Sequence, residues 1–176
     1  RTFANRFNRM YNVEYFNQPV AFNFGQTLVK IPGLDGSGKM GKSEGSGNAI
    51  FLFDEPEAIR KKVMKAVTDQ GPTQENQTKP EVIQNLFTLM EVVSKRETIA
   101  FFNESYNKCQ IRYGDLKKQL AEDMVAFIAP FREKILSNLS NGEYLSKVTR
   151  LGQEKAKESA TKTVKEIREI IGFKHF

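Results

Sequence analysis

Gly36-Ser37-Gly38-Lys39-Met40-Gly41-Lys42-Ser43 is the stretch on which the reading of the fold turns. It fits the P-loop pattern G-x-x-x-x-G-K-S letter for letter. A P-loop needs its Lys-Ser pair to open a helix at once, so that the helix N-terminus faces the phosphates. Here Ser43 is followed by Glu44-Gly45-Ser46-Gly47-Asn48, a run that disfavours helix. A P-loop NTPase also needs further parallel strands, one of them ending in a metal-binding Asp, and the remaining chain offers helices. The P-loop reading is therefore rejected. Residues 33–48 read instead as a mobile loop that carries six of the chain's 12 glycines and is costly in entropy to fix.

Outward from the loop, the pattern is helical on both sides. Upstream, Arg1–Met10 reads as helix, with Phe3 and Phe7 four apart. A loop through Asn17-Gln18-Pro19 and an extended stretch Thr27–Ile31 lead into the glycines. The chain opens within this helix and without a methionine, so we expect a piece of a longer protein.

Downstream, Ala49–Phe53 is a short apolar run, and Asp54-Glu55-Pro56 reads as a helix start with Asp54 as N-cap. Ile59, Val63, Ala66 and Val67 mark one face of that helix. Pro80 opens a second, Arg96–Lys108 is a third, and Gly114–Leu139 a fourth, with Pro130 inside it as a kink. The last runs from Glu143 to Gly172. From residue 54 onward only helices are expected. Phe3, Phe7, Phe127 and Phe131 read as core, and Cys109 as a small packed residue.

Composition sets the limits. The chain has 176 residues, 39% of them hydrophobic and 14 of them Phe, enough for a core. Its net charge of +6 permits a polyanionic partner without demanding one. A single cysteine and a single histidine, Cys109 and His175, cannot assemble a zinc site or a disulfide framework. Such cysteine usage suits a reducing compartment. No apolar run approaches a membrane span.

Lys39-Met40-Gly41-Lys42-Ser43 resembles the KMSKS signature of class I aminoacyl-tRNA synthetases, with Gly41 in place of the first Ser. The flanking strings resemble the tryptophanyl-tRNA synthetases in particular, in the C-terminal half of that family. They are Gly33-Leu34-Asp35-Gly36, Ala49-Ile50-Phe51-Leu52-Phe53-Asp54-Glu55-Pro56, and Ile59 through Asp69. Further on come Tyr113-Gly114-Asp115-Leu116-Lys117, Ala129-Pro130-Phe131-Arg132 and Gly152-Gln153-Glu154-Lys155-Ala156. Tyrosyl-tRNA synthetases share the architecture and the loop, and a non-catalytic helical tRNA-binding module is a further alternative.

The resemblance implies a mainly α chain. Residues 1–53 would close a Rossmann-type catalytic domain and 54–176 would form an all-helical domain that binds the tRNA anticodon. It implies ATP-dependent activation of tryptophan and transfer to tRNA(Trp), with Mg2+ carried by ATP and held by no residue here. Lys39 and Lys42 would contact phosphate, Ser43 would donate a hydroxyl, and the Met40 backbone would lie near the adenine. Lys30 and Ile31 would line the adenine pocket through their backbone. Gly41 departs from the pattern and removes a hydroxyl and a Cβ, which suggests a looser loop. Taken without their flanks, Lys39 and Lys42 read rather as solvated charges on a linker.

Lys117, Lys118, Lys147, Arg150 and Lys155 lie where the family binds the anticodon and are candidate RNA contacts, each weighed against a solvated lysine or arginine. The HIGH-like motif and the tryptophan-binding residues of the family have no counterpart in these residues. The resemblance further implies a homodimeric parent enzyme, cytoplasmic or organellar, with no membrane partner.

Overall fold

Helix boundaries follow local chemistry closely. The computed structural model describes residues 1–22, 30–36, 38–41, 43, 45 and 47–173. Six helices are present among them: α1 (Thr2–Tyr11), α2 (Pro56–Met64), α3 (Glu81–Val93), α4 (Arg96–Asn107), α5 (Tyr113–Ser140) and α6 (Gly142–Ile170). No strand occurs among the described residues. Most of the extended stretch read at Thr27–Ile31 lies outside them, as do Ser37, Lys42 and His175.

Three of the described helices have an identifiable start signal. Pro56 occupies the first turn of α2 with its fixed φ, and Pro80 immediately precedes α3. Asn141 caps α6, its side chain accepting from the Tyr144 N–H at 2.9 Å. The N-cap expected at Asp54 falls instead on Glu55, whose extended φ of −66° and ψ of 146° mark the entry to α2. Asp54 is occupied elsewhere. Its Oδ2 accepts the Phe51 N–H at 2.9 Å and the Lys62 ammonium at 2.6 Å.

The chain forms two compact units. One comprises residues 29–137. Its core joins Ile59 and Val63 of α2, Ile83 and Met90 of α3, Tyr106 of α4, and Leu116 and Leu120 of α5, all at most 1% exposed. Leu34, from the glycine-rich segment, is part of the same cluster. The spacing of these residues along their helices is the i, i+3/i+4 pattern that places side chains on one face.

The other unit comprises residues 1–28 and 138–176. Phe3, Phe7, Tyr11, Tyr15 and Phe16 form an aromatic group, with Phe7 and Phe16 edge to face at 5.0 Å. The Asn8 side chain closes the turn after α1 by accepting the Phe16 N–H at 3.0 Å and donating to the Phe16 carbonyl at 2.9 Å. The Tyr15 hydroxyl donates to Glu166 Oε2 on α6 at 2.8 Å.

Several residues read as core are not. Phe3 is 67% exposed, Phe127 41% and Phe131 46%, and only Phe7 of the four is even half-buried. No residue of α6 is buried, despite its apolar stripe. Helical periodicity identifies an apolar face but not what covers it. Cys109 is exposed rather than packed, and adopts the left-handed conformation with φ 54°. It follows the C-cap Lys108 of α4. There its N–H donates to Tyr106 O at 3.0 Å while the Gln110 N–H donates to Ser105 O at 2.8 Å. This pair of bonds is the Schellman cap, in which backbone geometry decides the position and packing does not.

Candidate functional site

The glycine-rich segment is built from its stem outward. Pro32, Gly33 and Leu34 are buried, and so are Asn48 and Ala49 on the return. Two backbone bonds fix the ascending side: the Met40 N–H donates to the Ile31 carbonyl at 2.8 Å, and the Leu34 N–H to the Asn48 carbonyl at 3.2 Å. The Asp35 N–H donates to Asn48 Oδ1 at 3.0 Å. Gly36 is required twice over. Its φ is +80°, and a Cβ there would meet Val82 Cγ1 at 2.8 Å.

Both sides of the stem are tied to α2. The Val67 N–H, just beyond that helix, donates to the Leu34 carbonyl at 3.1 Å. On the other side the Lys62 ammonium donates to the Ala49 carbonyl at 2.9 Å and pairs with Asp54 at 2.6 Å. It also lies 4.8 Å from the centre of the Phe51 ring. The loop therefore grows from the packed helical unit and is not a free linker at its base.

Met40 points away from solvent. Its Sδ accepts the Ile50 N–H at 3.4 Å. Its side chain helps line an apolar hollow of about 200 Å³ with Ile31, Ile50, Leu89, Val93 and Met124. Ile31 and Met40, both read as adenine-side residues, are thus brought together. Lys39, next to Met40, is exposed, as are Lys30 and Ser43, and Gly41 is half-buried. No described carboxylate pairs with Lys39. An exposed ammonium beside a half-buried anchor, on a glycine-rich loop, can meet a polyphosphate. Lys42 lies outside the described residues.

The five RNA candidates separate. Lys118 on α5 and Lys147, Arg150 and Lys155 on α6 are exposed. Lys147 and Arg150, three apart, share a face of α6. Lys117 is committed inward: its ammonium donates to the Ala66 carbonyl at 2.7 Å and to Thr68 Oγ1 at 3.3 Å. Burial pushes its pKa below the ordinary lysine value. Sequence reading missed Asn48 and Lys62, which organise the stem. No periodic signal marks either, since each reaches a backbone group thirteen residues away, Asp35 for Asn48 and Ala49 for Lys62.

No group of three or more potential metal-ligating side chains occurs among the described residues, and no described helix is long and apolar enough to cross a membrane.

The chain is similar to known proteins. The family model for tRNA synthetases class I (W and Y) matches residues 1–129. A tryptophan–tRNA ligase of Porphyromonas gingivalis is 55% identical over 174 residues, covering 99% of this chain and 53% of its own length. One from Clostridium longisporum is 33% identical over 179 residues, covering 100% of this chain and 51% of its own. Tryptophanyl-tRNA synthetase of Campylobacter jejuni, solved with ADP and tryptophan, superposes with a TM-score of 0.71 at 25% identity, over 98% of this chain and 52% of that one. The chain spans about half the length of the relatives it matches. It belongs to the class I tRNA synthetases of the tryptophan and tyrosine family.

Proposed function

We propose that this chain is the C-terminal half of a tryptophan–tRNA ligase, which activates tryptophan with ATP and transfers it to tRNA(Trp). The observation that carries the reading is the 55% identity to a tryptophan–tRNA ligase along 99% of this chain. In activation, the tryptophan carboxylate attacks the α-phosphate of ATP and pyrophosphate departs. Negative charge grows on the leaving group. Lys39 and Lys42 would neutralise it, with Ser43 and the Gly41 backbone as further donors and the Met40 backbone near the adenine. Lys30 and Ile31 lie on the adenine side. Mg2+ arrives with the nucleotide.

The functional division is drawn at residues 53 and 54: the end of the catalytic domain before it, tRNA-binding helices after. It runs through the compact unit formed by residues 29–137, so the phosphate-facing loop is supported by helices that follow it in sequence. Lys118, Lys147, Arg150 and Lys155 are the proposed phosphate contacts to tRNA, with Lys117 acting as a structural tie. The HIGH-like and tryptophan-binding residues belong to the other half. The complete enzyme is read as a cytoplasmic homodimer.

The test is amino-acid-dependent ATP–pyrophosphate exchange. The complete enzyme carrying this chain should exchange with tryptophan and not with tyrosine, and the 176 residues alone should show none. Exchange driven by tyrosine would move the chain to the sister specificity. Exchange by these residues alone would overturn their reading as half a site.

A further inference from the structure

One side chain closes the base of the glycine-rich loop. Asn48 is 3% exposed, buried although polar. A buried amide is unfavourable unless its hydrogen bonds are made. Its Oδ1 accepts the Asp35 N–H at 3.0 Å, thirteen residues away across the loop. Its carbonyl accepts the Leu34 N–H at 3.2 Å, and its own N–H donates to the Gly45 carbonyl at 3.3 Å. One residue therefore joins the outgoing side, the returning side and the loop itself.

Gly33 faces this amide directly. A Cβ there would lie 2.3 Å from Asn48 Oδ1, 2.6 Å from Nδ2 and 2.8 Å from Cγ. Gly33 is not among the glycines with positive φ, so its backbone would accept alanine. What requires glycine is the side chain of Asn48. Neither residue carries an apolar side chain, so the contribution of the pair is directional and does not consist of buried apolar area.

We infer that Gly33 and Asn48 form one clamp that sets where the loop leaves the helical unit, and are positioning residues for the lysines it carries. The inference rests on the proposed role of that loop in activation. A clamp of this kind acts on kcat, because a shift of about 1 Å in a positioning element costs up to roughly 10²-fold in rate. It should leave the helices intact.

The experiment is a double-mutant cycle in the complete enzyme, read by tryptophan-dependent ATP–pyrophosphate exchange and by thermal melting followed by circular dichroism. Gly33→Ala and Asn48→Ala should each lower kcat by roughly 10- to 100-fold, with a smaller change in KM for ATP. The double variant should be no slower than the slower single, because Asn48→Ala removes the three atoms that a Cβ at position 33 would strike. If Asn48→Ala fails to fold, Gly33→Ala carries the test alone, since it removes no hydrogen-bonding group. Wild-type kcat in both singles, or losses that simply multiply in the double, would overturn the clamp. Lys39→Ala is run alongside: if it slows exchange while the clamp variants do not, the clamp alone fails. If Lys39→Ala is also silent, the reading of the loop fails.

Discussion

The ammonium of Lys117 donates to the carbonyl of Ala66 at 2.7 Å and thereby ties α5 to the segment that follows α2. The next residue, Val67, donates from its N–H to Leu34 at the loop stem. Lys117→Met keeps the aliphatic stem and removes the donor. It should cost about 1–3 kcal/mol, the usual range when a partly buried acceptor loses its partner. Lys118→Ala, exposed one residue later, should change stability by less than about 0.5 kcal/mol. If Lys118 meets RNA phosphate, its loss should reduce the salt dependence of tRNA binding by about one unit of slope. Denaturant titration together with binding at several salt concentrations separates the two lysines. Equal stability losses would contradict the assignment of Lys117 as the tie.

Alkaline stability follows from Tyr113. Burial first, and the Asp69 carboxylate second, hold its phenol above the ordinary value of 10.0. Tyr106 is raised in the same sense, by burial and then by Asp69 and Cys109. The folded chain keeps a phenolic proton that the unfolded chain loses. The stabilisation is therefore fully present below about pH 10 and is lost as pH rises above it. Lys79 and Lys117, lowered by burial, act in the opposite direction just below that range. A comparison of wild type with Tyr113→Phe cancels their contribution. The melting temperature of the wild type should fall more steeply above about pH 10 than that of the variant. Parallel curves would refute the role given to Tyr113.

All six helices could be read from the sequence because their signals are local. Pro56 and Pro80 marked starts, and the spacing of Ile83, Leu86 and Met90 or of Leu116, Leu120 and Met124 marked buried faces. The break in helical pattern at Glu44–Asn48 marked the loop. What could not be read depends on contacts distant in sequence. Asn48 meets Asp35, Lys62 meets Ala49, and Lys117 meets Ala66, each through a backbone group that has no residue-type signature. Asp54 looked like an N-cap because acidic residues favour that position. Its carboxylate instead accepts from Phe51 and Lys62.

Cys109 occupies the left-handed position of a Schellman cap that Gly172 occupies after α6, where the Phe173 N–H donates to Arg168 O at 2.9 Å. A non-glycine residue in this conformation costs about 1–2 kcal/mol, and glycine returns part of that as backbone entropy. Cys109→Gly should therefore stabilise the chain by roughly 0.5–1 kcal/mol, and Cys109→Val should destabilise it. Chemical denaturation of the two variants decides the matter; a loss of stability with glycine would count against the cap.

The Lys62–Asp54 pair is more than half withdrawn from solvent, with side chains 17% and 16% exposed. Lys62→Met should destabilise by about 1–3 kcal/mol, since it leaves both Asp54 and the Ala49 carbonyl short of a donor. Asp54→Asn should cost less, because it retains an acceptor for the Phe51 N–H. A cycle of the two changes should show coupling above about 0.5 kcal/mol. Additive losses would mean that the pair does not act as a unit.

The lysines of the loop are proposed to act on the charge that develops as pyrophosphate leaves. Lys42, in the motif Lys39-Met40-Gly41-Lys42-Ser43, is the residue to change. The measurement is single-turnover formation of tryptophanyl-adenylate by the complete enzyme. Lys42→Ala should slow that step by roughly 10²–10³-fold, the typical effect of one preorganised electrostatic contact. KM for ATP should change much less. Lys42→Arg should recover only part of the rate, since a planar guanidinium replaces a compact charge. A wild-type rate of adenylate formation in Lys42→Ala would contradict the account.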